Sequence, residues 1–385
     1  MNNKNNYLRK PLILTSLPLG VMSFLIPIYS KKLNMNAVEI TGLFSVISLI
    51  LIIMRPILGK FVDKFGRKPI LICSCIFFAI SYAIFSVSNT VTLLYIARIF
   101  QGIATASMTI STYTIISDIT KEENLSKTFG KINSYKSIGC LYGCIIAFLT
   151  SSFMRFTQGW KVLFIIFSIA SIYAVIEVIK GVTESKKSII DKNDKDNKNI
   201  SKDTKKLLVI IFITYLSSSM LGSIIMIYMQ DKFTNDIFLL AYAFLSALLA
   251  ESLFSKKIGV FSDNYGKKYS MILGIIICGV VAIVTPSVSS LILLSILWII
   301  STLSGVLYSL SEKNIYTSMN NKSSMGSMYS IYSIVCDFGL MIGPIIGGLL
   351  YDNVSSKAPF YLNGILMFIS AILILILIKE KIQEN

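Results

Sequence analysis

The chain has 385 residues, of which 54% are hydrophobic and only 15% are charged. A soluble domain carries about 25% charged residues, so this composition excludes a protein that covers its whole surface with polar groups. Histidine is absent, which excludes every mechanism that uses imidazole as a base, a proton shuttle or a metal ligand.

Apolar runs recur along the whole chain, and each can cross a hydrocarbon core of about 30 Å. They predict an all-α membrane protein with twelve transmembrane helices, at residues 12–30, 38–58, 69–88, 91–116, 130–152, 162–180, 207–229, 237–257, 269–286, 289–311, 327–350 and 359–378. Basic residues precede the first run as in a signal peptide, but a small-residue cleavage site is lacking, so we expect a retained helix.

The basic residues are distributed unevenly between the two sides of such a bundle. Twelve spans place both termini on one side, which carries 28 of the 36 Lys and Arg residues, whereas the opposite loops carry 6. The positive-inside rule therefore predicts a multi-pass protein of the cell (inner or plasma) membrane with both termini in the cytoplasm. The formal charge of +16 then reflects topology, and we expect no nucleic-acid partner.

The six cysteines all fall within predicted spans. Cys73 and Cys75 lie two residues apart on a helix and so point to different faces, which is poor geometry for a metal pair. We expect free thiols, no metal site and no cofactor.

One long hydrophilic segment, Lys186–Lys206, interrupts the apolar pattern. Its dense mixed charge cannot bury a core, which predicts a flexible cytoplasmic linker. We therefore expect a six-helix half at residues 1–180, a linker loop at 181–206 and a second six-helix half at 207–385.

The two halves repeat at an offset of 200 residues. The segment Gly59–Lys68 (GKFVDKFGRK) recurs as Gly259–Lys268 (GVFSDNYGKK), and two glycines of span 5 recur at the same offset in span 11. Two independent motifs at one offset predict a duplicated six-helix unit. Parallel repeats of this kind build transporters whose site lies near the membrane midplane, where the repeats meet.

These motifs, together with Arg55-Pro56 before the loop and Arg98–Gly102 (RIFQG) in span 4, resemble those of the major facilitator superfamily, and most of all its twelve-helix drug/proton antiporters. The resemblance implies two pseudo-symmetric six-helix halves. It also implies proton-coupled export of a small amphipathic compound or drug by alternating access.

In that family the loop after helix 2 is a cytoplasmic gating motif. By the resemblance, Asp63 accepts hydrogen bonds from the start of helix 11, near Ser323–Ser327, and steadies the outward-facing state. Arg67 and Lys68 can pair with Asp118 at the inner end of helix 4. Charges that only anchor the topology are the alternative. The residues assigned to the motif are Gly59, Asp63, Gly66, Arg67, Lys68, Asp118, Asp263 and Gly266.

A cation is predicted deep inside the bundle. Arg98 lies about 11 Å into a helix entered from outside, where a charge costs several kcal/mol unless it is paired or faces a wet cavity. Gln101 follows three residues later, close to the same face. The resemblance ties this arginine to proton coupling in a central cavity, and the alternative is an arginine bound by backbone carbonyls.

Without histidine, any proton carrier must be a carboxylate, and few acids lie inside the predicted spans. Asp337 lies about 16 Å into helix 11 from the inside, and Glu251 lies near the inner third of helix 8. Both are candidates for proton coupling. For Glu251 the alternative is a salt bridge to Lys256 and Lys257.

Spans 5 and 11 carry the antiporter glycine motif. Spacing of four residues places the glycines on one ridge, so that a neighbouring backbone can approach closely, and a proline in helix 11 bends the helix. Packing and gating are both consistent with this pattern. The residues assigned are Gly139, Gly143, Gly339, Gly343, Pro344, Gly347 and Gly348.

The expected partners are a small-molecule substrate, protons and membrane lipid, and we expect a monomer. Proton-coupled uptake of a sugar or other small metabolite is the first alternative, and a sensor that signals through the linker is another. A membrane enzyme is disfavoured, because no nucleophile–base pair, metal cluster or phosphate-binding glycine loop is present in the sequence.

Overall fold

The computed structural model describes residues 7–120, 125–184, 201–319 and 325–378, and these ranges contain twelve long α-helices and no β-strand. The helices of the first half are α1 (Arg9–Lys32), α2 (Ala37–Phe65), α3 (Arg67–Val87), α4 (Val91–Ile119), α5 (Leu125–Phe153) and α6 (Phe156–Gly181). Those of the second half are α7 (Lys202–Lys232), α8 (Ile237–Tyr265), α9 (Lys267–Val284), α10 (Leu291–Ser318), α11 (Met325–Asn353) and α12 (Ala358–Leu377).

All twelve helices are long and apolar enough to cross a membrane. Large apolar side chains also lie on their outer surfaces; Phe153, for example, is 83% exposed and Ile292 is 73% exposed. Hydrocarbon covers such a surface, and each helix satisfies its backbone hydrogen bonds internally, as a bilayer demands. The predicted all-α fold with twelve transmembrane helices is confirmed.

The chain divides into two compact units, Met1–Met35 with Val46–Asp194 and Asn36–Ser45 with Lys195–Asn385. The first turns of α2 therefore belong to the second unit and the rest of α2 to the first. The predicted halves did not include this assignment of the start of α2 to the second unit, because it depends on contacts between residues that are distant in the sequence.

The C-terminal end of the predicted linker, 181–206, overlaps the start of a helix in the structure. Helix α7 begins at Lys202, so residues 202–206 are helical, whereas residues 185–200 lie outside the described residues. The Ser201 side chain accepts a hydrogen bond of 3.1 Å from the Thr204 N–H, and Asp203 lies in the first turn. Both features favour a helix start and outweigh the hydrophilic composition.

Helix packing repeats from one unit to the other. In the first unit α1 packs against α5 and α6, and α3 packs against α4 and α6. In the second unit α7 packs against α11 and α12, and α9 packs against α10 and α12. The same pairs, six helices apart, are what a duplicated six-helix unit requires.

Aromatic residues at one end of the first unit fix α1, α3 and α6 together. The rings of Tyr29 and Trp160 stack with centroids 3.9 Å apart. The indole N–H of Trp160 donates to the carbonyl of Phe85 at 2.7 Å, and the hydroxyl of Tyr29 donates to the carbonyl of Ser88 at 2.6 Å. These side chains satisfy carbonyls at the end of α3 while burying apolar rings.

Candidate functional site

Arg98 and Gln101 form an almost fully buried polar pair in the first unit, exposed by 2% and 3%. Nη1 of Arg98 donates a hydrogen bond of 2.8 Å to Oε1 of Gln101, and the guanidinium lies 6.0 Å from the centre of the Phe85 ring. Nε2 of Gln101 lies 2.8 Å from the sulfur of Met22. The three-residue spacing predicted only that the two side chains lie close to one helix face; the hydrogen bond between them and the contact with Met22 on α1 come from the structure.

The surroundings of Arg98 contain side-chain partners for a cation. An amide dipole and the face of an aromatic ring both attract a guanidinium, and the ring contact strengthens when water is excluded. These contacts allow a charge to remain in an apolar bundle at reduced cost.

The two acids predicted for proton coupling lie in different surroundings. Asp337 on α11 is 4% exposed. Glu251 on α8 is half-buried. Within the described part of the chain, no salt bridge joins Glu251 to Lys256 or Lys257, so the structure does not favour the salt-bridge alternative.

Sequence reasoning missed a third acid, Glu312 on α10, whose exposure is 0%. The predicted span ended at residue 311, whereas α10 continues to Ser318. The hydroxyl of Tyr332 on α11 donates a hydrogen bond of 2.6 Å to Oε1 of Glu312. A usable signal was present, because Ser304, Tyr308 and Glu312 follow at intervals of four residues and therefore share one helix face.

Around Glu312 the second unit assembles a cluster of hydroxyl groups. The hydroxyls of Tyr332 and Tyr215 are 3.0 Å apart, which links α11 to α7. Tyr308, one turn before Glu312, shares a short hydrogen bond with Thr214 on α7. Helices α7, α10 and α11 thus each contribute polar side chains to one cluster around Glu312.

The gating loop of the first unit contains the expected ion pair. Nε of Arg67 lies 3.0 Å from Oδ2 of Asp118, and both side chains are largely buried. Nζ of Lys68 donates to the carbonyl of Ile179 at 2.8 Å, and none of the salt bridges among the described residues joins Lys68 to Asp118.

Gly66 makes the turn between α2 and α3 with a φ of +97°, and Gly266 makes the equivalent turn in the second unit with a φ of +88°. Only glycine adopts this conformation readily, which explains why both copies of the motif keep it. Gly59 lies within α2, and Asp263 is exposed in the last turn of α8.

Asp63 is exposed near the end of α2. Its expected contact with Ser323–Ser327 falls partly on residues 320–324, which are outside the described residues. That contact stays a prediction.

A residue outside the predicted motif completes the loop. The carboxylate of Glu184 accepts hydrogen bonds from the backbone N–H groups of Arg67, at 2.8 Å, and Lys68, at 3.1 Å. A carboxylate at a helix N-terminus neutralises unpaired amides and the positive end of the helix dipole. Glu184 follows α6, far along the chain, so the motif itself gave no indication of it.

Both glycine ridges lie directly against a neighbouring helix. A Cβ atom at Gly139 would overlap the backbone of Ile13, and one at Gly143 would overlap that of Leu17, both on α1.

In the second unit, Gly339 and Gly343 lie in the same way against Leu216 on α7. Gly347 lies against Met220 on α7, Gly348 lies against Val38 at the start of α2, and Pro344 is buried within α11. Close helix approach is therefore the structural role of both ridges.

All six cysteines are free thiols. In the described ranges, no three His, Cys, Asp or Glu side chains lie close enough together to hold a metal ion.

Comparison with known proteins supports one family. Residues 12–206 and 207–385 each match the family described as the Major Facilitator Superfamily. Multidrug resistance protein 1 of Bacillus subtilis (strain 168) is 23% identical over 369 residues, which cover 91% of this chain and 90% of that protein. The class E tetracycline resistance protein of Escherichia coli is 21% identical over 356 residues, covering 89% and 86%.

Solved structures share the fold. The nucleoside transporter NupG has a TM-score of 0.71 at 15% identity, covering 99% of this chain and 100% of that chain. A bacterial homolog of the human lysosomal transporter Spinster, in an inward-facing and occupied conformation, has a TM-score of 0.77 at 13% identity, covering 97% of each chain.

The family matches span both halves, and twelve helices in two six-helix sets are the architecture of these transporters. The protein is therefore a multi-pass membrane transporter and not an enzyme. The chain belongs to the Major Facilitator Superfamily.

Proposed function

We propose that this transporter exports a small amphipathic compound in exchange for protons, by alternating access across the cell membrane. The observation that carries the proposal is a buried ionisable side chain in each unit, Arg98 in the first and Asp337 in the second. Such residues inside a membrane are costly and are normally retained for function. The relatives named for multidrug and tetracycline resistance support export as the direction.

Proton coupling follows from the chemistry available. Histidine is absent, so a carboxyl group must bind and release the proton. In an apolar bundle the neutral, protonated carboxyl group is favoured, because burying a charge costs more than burying a polar group. Opening to water on one side and then the other lets the same group release and rebind its proton.

We assign the proton-coupling or substrate-binding roles to Arg98 and Gln101 in the first unit and to Asp337 and Glu251 in the second. The gating role is assigned to the loop around Gly66, where the Arg67–Asp118 pair is in place. Because 28 of the 36 basic residues lie on the side of the termini, we further propose that both termini face the cytoplasm. A reporter fused to the C-terminus tests that orientation.

Transport into everted membrane vesicles tests the proposal. Vesicles acidified inside should accumulate tetracycline or an amphipathic cationic dye faster than vesicles without a gradient. Arg98→Ala and Asp337→Asn should remove this acceleration, whereas Asp236→Asn, at the exposed start of α8, should keep it. Undiminished gradient-driven transport in Asp337→Asn would exclude Asp337 as the proton carrier.

The same design separates export from uptake. Right-side-out vesicles with an inward proton gradient should not accumulate a labelled sugar or nucleoside panel. Accumulation there, together with no effect in everted vesicles, would favour proton-coupled uptake of a metabolite. Growth inhibition in a strain that lacks its own exporters, with and without this protein, would then narrow the substrate class.

A further inference from the structure

We propose that Glu312 is a proton-binding site of the second unit and that Tyr332 and Tyr215 form the relay by which its proton exchanges with water. The binding site follows from geometry alone. Only its use in transport rests on the proposed function.

The first argument is the burial of the Glu312 carboxyl group. Its exposure is 0%, and among the described residues Oε2 has no hydrogen-bond partner. No described Lys or Arg forms a salt bridge with it. An ionised carboxylate in this position has the Tyr332 hydrogen bond on Oε1 but no salt-bridge partner among the described residues and no hydrogen bond on Oε2. Burial is therefore only partly offset, and the neutral acid is the stable form at rest.

The second argument is the hydrogen-bond chain that leads away from Glu312. Oε1 of Glu312 lies 2.6 Å from the hydroxyl of Tyr332, which lies 3.0 Å from the hydroxyl of Tyr215. A tyrosine hydroxyl can donate or accept, so the chain can run in either direction. When Glu312 is ionised, the Tyr332 hydroxyl donates a hydrogen bond to the carboxylate. When Glu312 is protonated, the Tyr332 hydroxyl can accept a hydrogen bond from the acid and donate its own hydrogen to the hydroxyl of Tyr215.

The third argument is the gradient of exposure along this chain. Glu312 is fully buried, Tyr332 is buried and Tyr215 is only partly buried. Tyr215 is therefore the most exposed of the three groups. One proton moves in along the hydroxyls, the carboxylate becomes a neutral acid, and release reverses the same steps.

The groups around Glu312 are suited to binding a proton rather than a cation. Four neighbouring groups, three tyrosine hydroxyls and one thiol, are neutral in their ordinary form, and the adjacent Lys313 on α10 has an exposed side chain. The facing elements α9 and α12 contribute apolar side chains to the same buried cluster. The titratable and charged neighbours are Tyr215, Tyr308, Lys313, Tyr332 and Cys336.

The glycine ridge positions the relay. A Cβ atom at Gly339 would lie 2.8 Å from the backbone nitrogen of Leu216 and 2.9 Å from Cβ of Tyr215. The close approach of α11 to α7 therefore brings Tyr215 within hydrogen-bond distance of Tyr332. The glycine motif thus acquires a second role as a support for the hydroxyl chain.

Infrared difference spectroscopy of the purified full-length protein tests the site directly. Raising the pH should remove a carbonyl band of a protonated carboxyl group from the wild type, and this band should be missing from Glu312→Gln. The matched control Glu177→Gln changes an acid of the first unit that pairs with Lys10 and should keep the band. A band that is unchanged in Glu312→Gln would overturn the proposal.

The relay has its own variants. Tyr332→Phe should keep the band, shift its frequency because a hydrogen bond is lost, and slow its exchange after a pH jump. Tyr316→Phe removes a hydroxyl that bonds the carbonyl of Met328 and should leave the exchange rate unchanged. Equal rates in Tyr332→Phe and the wild type would exclude the relay, and this readout remains if Glu312→Gln fails to fold.

Transport by the same variants separates the two proposals. In proteoliposomes, Glu312→Gln should lose the acceleration by a proton gradient. Normal acceleration in that variant would overturn the role of Glu312 while leaving export intact. A wild type without gradient-driven transport but with the Glu312 band would refute the proposed function and support the site.

Discussion

The carboxylate of Glu184 lies 2.8 Å from the backbone nitrogen of Arg67 and caps the first turn of α3. Helix α3 has no side-chain cap of its own, because the preceding residue is Gly66. The positive φ of Gly66 requires a residue without a Cβ atom, so the capping oxygen must come from elsewhere. The segment after α6 provides it.

We expect Glu184→Ala to lower the free energy of unfolding by about 1 kcal/mol, the usual cost of losing a helix cap. Gly66→Ala should cost about 1–2 kcal/mol through its left-handed backbone, and its Cβ would also approach the Glu184 carboxylate to 2.6 Å. The double variant should therefore be less destabilised than the sum of the two. Thermal unfolding in detergent measures all three, with Gly59→Ala as the control because nothing lies within 4 Å of its Cβ position. Strict additivity would contradict the contact.

The Arg67–Asp118 pair is expected to stabilise the first unit measurably. Its side chains are exposed by only 11% and 13%, so solvent screens it less than a surface pair. A double-mutant cycle with alanine at both positions should give a coupling energy of about 1 kcal/mol.

The matched control for that cycle is the ion pair of Lys206 and Asp203, which has the same 3.0 Å distance but side-chain exposures of 43% and 59%. Its coupling energy should be close to zero. Equal coupling in the two pairs would show that burial is not the deciding factor.

Asp352 at the end of α11 caps the start of α2. Its carboxylate accepts hydrogen bonds from the backbone N–H groups of Ala37, at 3.1 Å, and Val38, at 2.9 Å, and all three residues belong to the second unit. We expect Asp352→Ala to cost about 1 kcal/mol and to accelerate hydrogen exchange of the amides at the start of α2.

The control is Asp236→Ala, because Asp236 caps α8 through a 2.8 Å hydrogen bond from the Phe238 N–H. This variant should accelerate exchange at α8 and leave α2 unchanged. If Asp352→Ala leaves exchange at the start of α2 unchanged, the cap does not stabilise that first turn.

Gly343→Ala should destabilise the α7–α11 contact by several kcal/mol, because its Cβ would overlap the backbone of Leu216 and force the helices apart. Gly305→Ala on α10 is the matched control, since nothing lies within 4 Å of its Cβ position. It should be neutral or stabilising by up to about 1 kcal/mol, because alanine favours a helix over glycine. Thermal unfolding of both variants decides between steric packing and helix propensity, and similar destabilisation in both would contradict the steric argument.

Local properties of the chain were enough to predict the twelve spans and the turns. A transmembrane helix needs only a sufficient length of apolar residues and forms its hydrogen bonds within itself, so each span could be read separately. The turns at Gly66 and Gly266 could also be predicted from the sequence, because a tight turn with a positive φ requires glycine at that position. The location of Arg98 and Gln101 near one helix face also follows from helical spacing.

Glu312 shows where such local reasoning stops. In the sequence Glu312 is followed by Lys313, and this polar pair is typical of the exposed end of a helix. In the structure Glu312 is fully buried. The hydroxyl that stabilises it belongs to Tyr332 on the next helix, and no local pattern specifies that contact.

The sequence by itself determined the membrane fold, the duplication and the family, since these depend on helix length, hydropathy and motif spacing. Only the tertiary structure decided that Glu184 caps α3, that the start of α2 belongs to the second unit and that Glu312 meets a tyrosine chain. The physical reason is that these contacts join groups on separate helices, whose polar atoms must find partners once lipid and protein exclude water.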